Sequence, residues 1–203
     1  MKKVFLLITV LFVSVISTAC INNLAVQELN SKAKAYMEAG DTDKAICRLR
    51  SSIDLDTNVF ESHYNLGVAL ISAKQYDEAE KSLQNAIKLK PEVADTYYSM
   101  AVVLEEQAFE EINPSAEDKV SEEKQEVQET AEEESPAKLA NVKKELTDED
   151  KTEIVEKLNS AIENYNTYLA KKPDAQDKEK VTSQIDYLSE QIKKYTPEQA
   201  VTE

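Results

Sequence analysis

Three observations predict an all-α fold, a short solenoid of about three helix pairs closed by a C-terminal capping helix. First, the chain repeats itself at 34 residues. SKAKAYMEAGDTDKAICRLRSSIDLDT at 31–57 and NLGVALISAKQYDEAEKSLQNAIKLKP at 65–91 share Ala35 with Ala69, Ala39 with Ala73, Asp43 with Asp77, Ala45 with Ala79, Leu49 with Leu83, Ile53 with Ile87 and Leu55 with Leu89. Second, apolar residues within each copy recur at three- and four-residue spacing, as in Leu66, Leu70, Ala73 and then Ala79, Leu83, Ala86, Ile87, the period of one helical face. Third, two Gly, five Pro and no Trp in 203 residues, with abundant Ala, Leu, Lys and Glu, describe a chain with few tight turns and high helix propensity.

The N-terminus is set apart from this pattern. MKKVFLLITVLFVSVISTAC places two lysines before an apolar run from Val4 to Ile16 and then small residues, the layout of a bacterial export signal over residues 1–19. The run is shorter than the about 20 residues of a membrane span. Ser17-Thr18-Ala19 suits an ordinary cleavage site. It also resembles a lipobox, which makes Cys20 the lipidated first residue of an envelope lipoprotein facing the periplasm or the exterior. Ser17 stands where a lipobox usually has Leu. A soluble secreted protein is the alternative, and an uncleaved anchor a third. Residues 20–25 then form a tether.

Residues 26–59 and 60–93 form the first two units. Small residues at Gly67 and Ala79 let two antiparallel helices approach closely, and Pro91 ends the second helix of its unit. One such pair cannot bury its apolar stripe alone, so neighbours stack and share a core. A third unit begins in PEVADTYYSMAVVLEEQAFEEI, which carries the repeat region (26–112) to the end of its first helix. Its partner helix is displaced. Ala161, Tyr165, Tyr168 and Pro173 reproduce the spacing of Ala79, Leu83, Ala86 and Pro91 after an insertion of about 48 residues. The second helix of this unit is expected over 151–173, with its start signalled at Thr147 by Thr-Asp-Glu-Asp, a capping-box pattern. Val181, Ile185, Leu188 and Ile192 put one more apolar stripe on a capping helix at 174–196, and 197–203 is a tail.

The insertion at 113–150 carries thirteen acidic and five basic side chains with few apolar ones. Such composition cannot bury enough to fold alone. It reads either as a solvated loop or as an acidic tether that engages a basic partner or covers the repeats. Asp148-Glu149-Asp150 lacks the alternating ligands and central Gly of a calcium loop.

The repeat resembles the tetratricopeptide repeat, a 34-residue helix–turn–helix unit. The residues that carry the likeness are Leu66, Gly67, Leu70, Tyr76, Ala79, Leu83, Ala86 and Pro91, with Leu29, Ala33, Tyr36, Gly40, Ala45 and Leu49 in the first unit. The resemblance implies a protein-interaction module whose concave groove, lined by the first helix of each pair, receives a partner peptide or helix. Carried over by position, the groove holds Asn30, Lys34 and Met37, then Tyr64, Val68 and Ile71, then Tyr98, Val102 and Glu105. Family members that read C-terminal carboxylates use Lys, Asn and Arg at such positions. Asn30 and Lys34 alone do not make that clamp. The apolar strip of Tyr64, Val68, Ile71, Tyr98 and Val102, edged with acid, suits an amphipathic helix or a segment with basic flanks.

The remaining chemistry is sparse. Thirty-nine acidic against 24 basic side chains, a net charge of −15, argue against nucleic acid, which needs clustered Lys and Arg. Two Cys and one His cannot assemble a usual zinc site, so no metal and no cofactor is expected. Cys47 is expected as a half-buried thiol, able to pair with Cys20 only if Cys20 carries no lipid. His63, Tyr165 and Tyr168 read as packing residues. No nucleophile–base pair or phosphate loop appears. The expectation is a non-enzymatic adaptor or assembly factor at the envelope. The alternatives are a self-associating scaffold, hence a homo-oligomer, or an accessory subunit of a secretion or enzyme complex.

Overall fold

The computed structural model describes residues 23–114 and 146–196. Residues 1–19, Cys20, nearly all of the insertion at 113–150 and the tail from 197 lie outside the described residues. Seven helices form among the described ones: α1 (23–38), α2 (Thr42–Leu55), α3 (Phe60–Ser72), α4 (Tyr76–Leu89), α5 (Ala94–Ile112), α6 (Asp148–Lys171) and α7 (Lys178–Tyr195). They pair as α1 with α2, α3 with α4 and α5 with α6, and α7 lies against α6. The fold is an all-α solenoid of three pairs and a terminal helix. No described helix is long and apolar enough to cross a membrane.

Each pair closes on small residues at fixed places. Ala33 and Ala101 on α1 and α5, and Ala45, Ala79 and Ala161 on α2, α4 and α6, are fully buried. Gly67 marks the tightest approach. A Cβ added there would sit 2.6 Å from Leu83 Cγ and 2.7 Å from its Cδ2, far inside ordinary contact, so α3 meets α4 this closely because position 67 has no side chain. The α1–α2 turn uses Gly40 at φ +77, with Gly40 N–H donating to Met37 O (3.1 Å) and Asp41 N–H to Tyr36 O (2.9 Å). One period later Lys74 takes the same left-handed conformation, φ 57, with the same two bonds to Ile71 O and Leu70 O. The backbone repeats there although the residue does not.

Two apolar clusters make the core. One joins α1 to α4 around Leu49, Leu66, Leu70 and Leu83. The other joins α5 to α7 around Ile154, Leu158, Tyr165 and Leu188. Helix α5 belongs to both, since Met100 and Val103 enter the first and Ala101 and Ala108 the second. That is why its buried positions surround the helix instead of forming one stripe.

Helix α6 begins at Asp148, three residues before the boundary at 151. Thr147 Oγ1 accepts from Asp150 N–H (3.1 Å) and Asp150 Oδ2 accepts from Thr147 N–H (2.7 Å), a complete capping box. The rise of α6 back along α5 is fixed by Ile154, Leu158, Ala161, Tyr165 and Tyr168, one buried side chain every three or four residues. Cys47 departs from expectation. Ala45, Ile46 and Leu49 turn α2 inward, so the next residue round the helix points out, and Cys47 is free and exposed.

Candidate functional site

The stack is curved, and the curvature defines an inner face. Helices α3 and α5, the first of their pairs, meet each other. Helices α2 and α4, the second of theirs, do not pack backbone to backbone and are bridged by the exposed pair Arg50–Glu78 (2.6 Å). The shorter spacing is on the side of the first helices, so α1, α3 and α5 line the concave side.

On that side the structure brings together the apolar strip. Tyr64, Val68 and Ile71 follow one face of α3, and Tyr98 and Val102 one face of α5, all half-buried. Tyr64 stacks on Phe60, with ring centroids 5.7 Å apart. Tyr98 meets Tyr165 and Tyr168 edge-on at 5.6 and 5.3 Å, so its ring is anchored on α6 while it borders the groove. At the first pair Lys34 is exposed and Met37 half-buried against the core.

Two expected groove residues are turned into the fold. Asn30 Nδ2 donates to Ser52 Oγ (2.9 Å), Ser62 Oγ (2.8 Å) and Val26 O (3.0 Å), tying α1 to α2 and α3. Its amide nitrogen is used by a buried polar junction that includes the Ser52–Ser62 hydroxyl pair (2.9 Å), while its Oδ1 is buried with no hydrogen-bond partner among the described residues. Glu105 Oε2 accepts from Tyr165 Oη–H (2.9 Å) and its Oε1 from Gln184 Nε2–H, linking α5 to α6 and α7. Burial holds the Glu105 carboxyl above its ordinary value, against the pull of those two donors, with Glu106 adding to the rise. Neither side chain is presented to the groove as a contact for a partner. His63 is buried and its Nε2–H donates to Thr57 O (2.9 Å), a packing role.

The groove deepens at its C-terminal end into a pocket of about 660 Å³, between α3, α5 and the α6–α7 turn. Tyr64, Tyr98 and Tyr168 supply aromatic wall, and Asp95, Asp174 and Asp177 supply carboxylates. Lys172 lies inside this ring, its Nζ 3.0 Å from Asp95 Oδ1 and 5.6 Å from the centre of the Tyr168 ring. Its hydrogen bond to Asp95 raises the ammonium above the ordinary lysine value, and Asp177 and Tyr64 reinforce the rise. Tyr168 Oη–H donates to Asp177 Oδ1 (2.7 Å), which pushes the phenol up to about 12. Position-by-position reading of the first helices missed Tyr168, Lys172, Asp174 and Asp177, because they lie on the second helix and the turn after it. One signal was available. Lys172 and Asp95 occupy the repeat positions of Lys90 and Glu61, which also pair (2.8 Å).

The fold is that of a short tetratricopeptide-type solenoid, and residues 60–93 match the family model of the tetratricopeptide repeat. Solved structures agree on the fold. The second TPR domain of human RPAP3, in complex with the HSP70 peptide SGPTIEEVD, has a TM-score of 0.53 at 13% identity, covering 83% of this chain and 98% of that one. The Arabidopsis OM64 TPR domain has a TM-score of 0.55 at 11% identity, covering 82% and 98%. The Yersinia enterocolitica type III secretion chaperone SycD, in complex with a peptide of the translocator YopD, has 0.52 at 12% identity, covering 84% and 94%. No curated protein matches the chain.

Proposed function

We propose that the protein is a non-enzymatic adaptor or assembly factor of the bacterial envelope, which holds a partner peptide or helix along the concave groove and is anchored through a lipid on Cys20. The observation that carries the reading is the half-buried strip of Tyr64, Val68, Ile71, Tyr98 and Val102 on the inner helices, which keeps an apolar border along the groove although Tyr64 and Ile71 pack partly on one core cluster and Tyr98 and Val102 on the other. Structures of the same fold with peptides of HSP70 and YopD support it. The anchoring rests on the sequence around Cys20.

A photo-crosslinking amino acid at Val68, in the full-length protein in its own envelope, tests the groove. The control position is Gln84, exposed on α4. A second protein captured at 68 and not at 84 is expected. Equal capture at both positions, or capture only of another copy of the chain at 68, would replace the adaptor with a self-associating scaffold. The same cells fed an alkynyl fatty acid should label the wild type and not Cys20→Ser. Label retained in the variant would remove the anchor.

A further inference from the structure

The pocket at the end of the groove carries more carboxylates than ammonium groups, two of them at the N-terminal end of α7, where Asp177 is the N-cap. Three carboxylates, Asp95, Asp174 and Asp177, face a single ammonium, Lys172. The equivalent pair one repeat earlier, Lys90 with Glu61, is simpler: Lys90 Nζ sits 4.9 Å over the Phe60 ring with one carboxylate to answer it. At the later position the turn between α6 and α7 adds Asp174 and Asp177, and Tyr64 and Tyr98 extend the aromatic wall. Asp177 is held by Tyr168, a neutral donor that does not cancel its charge. Asp174 is exposed, with no ion-pair partner among the described residues. The volume, about 660 Å³, falls within the about 300–1,000 Å³ of pockets that hold ligand groups.

Aromatic faces and carboxylates around one opening favour a cation, by attraction to the ring faces and by charge-assisted hydrogen bonds. The chain demonstrates this with its own side chain, since Lys172 is bound by both kinds of contact at once. That pair is half-exposed on both sides, so it is a weak and displaceable latch.

We propose that this pocket takes a cationic side chain, lysine or arginine, from the partner segment in the groove, in competition with Lys172. The proposal rests on the groove reading and adds the chemistry of the partner. A bound segment lays apolar side chains along Val68, Ile71 and Val102 and turns its cation between Tyr64, Tyr98 and the carboxylates. The cation then binds Asp174 and Asp177 and shares or takes Asp95 from Lys172. An anionic C-terminus is disfavoured at the same place by three like charges.

The test uses the isotope-labelled chain and the probe acetyl-Leu-Arg-Leu-amide, with its lysine and norleucine counterparts, followed by amide chemical shifts. Both cationic probes should move the resonances of 95–98 and 174–177, and the relative size of the two effects names arginine or lysine as the preferred cation. The norleucine probe should leave them in place. Lys172→Met removes the competitor and should tighten the arginine or lysine probe about two- to fivefold, while Asp174→Asn should weaken it by a similar factor, the range of an exposed ion pair. Both sites are exposed, so both variants keep the fold. Equal binding of norleucine, or weaker binding to Lys172→Met, would overturn the proposal. If the Val68 crosslink persists while the cationic probes leave the pocket unmoved, the pocket inference falls and the groove reading stands. Loss of the crosslink removes both.

Discussion

Gly67→Ala isolates the contact that sets the distance between α3 and α4. The added Cβ would stand 2.6 and 2.7 Å from two Leu83 atoms, where apolar carbons normally sit about 3.5–4.0 Å apart. Leu83 is fully buried, with Ala79 and Leu66 in the same cluster, so it cannot swing into solvent. Either its rotamer strains or the helices part. Overpacking of this kind costs about 1–3 kcal/mol. Replacing a mid-helix glycine by alanine returns about 1 kcal/mol of helix propensity. The net is a loss of about 1 kcal/mol, or about 2–4 °C in Tm for a chain of this size. Urea unfolding of wild type and variant measures it. Leu83→Ala supplies the decisive background, because it removes both clashing atoms. There Gly67→Ala should become stabilising, leaving only the propensity gain. The same sign in both backgrounds, or a stabilising Gly67→Ala in the wild type, would refute the close-approach account.

Two further predictions follow from single positions. Lys74 holds a left-handed conformation that costs a non-glycine residue about 1–2 kcal/mol, so Lys74→Gly should raise stability by about 0.5–1 kcal/mol after the entropy glycine adds to the unfolded chain, and a lower urea midpoint would contradict it. Glu105 has a carboxyl raised by burial, so the fold favours its protonated form. That contribution is fully present below the ordinary value of 4.5 and fades as pH rises through the raised value. Glu105→Gln should therefore gain stability relative to wild type between pH 4 and pH 7, measured as the difference in urea midpoint, and a difference that does not change with pH would sink the assignment.

What was legible in the sequence was periodic. The 34-residue spacing, the small residues at Ala45, Gly67 and Ala79, and the resumption of the pattern at Ala161 determined three helix pairs and a closing helix, because a helix that packs on both neighbours needs the same size of side chain at the same turn of each unit. The apolar strip on the first helices was legible for the same reason. Periodicity names the face of a helix, however, and not the atoms that meet it. Asn30 sits at a groove position, and only tertiary structure supplies the buried hydroxyls of Ser52 and Ser62 that draw its amide inward. Glu105 is drawn inward by Tyr165 and Gln184, which lie far along the chain. The pocket joins Asp95 to Lys172 across 77 residues and depends on where the α6–α7 turn comes to rest against α5. Local pattern determined the helices and their stacking order. Distant side-chain pairing decided which polar groups the fold keeps for itself and which it leaves exposed, since a buried hydrogen-bonding group is costly without a partner.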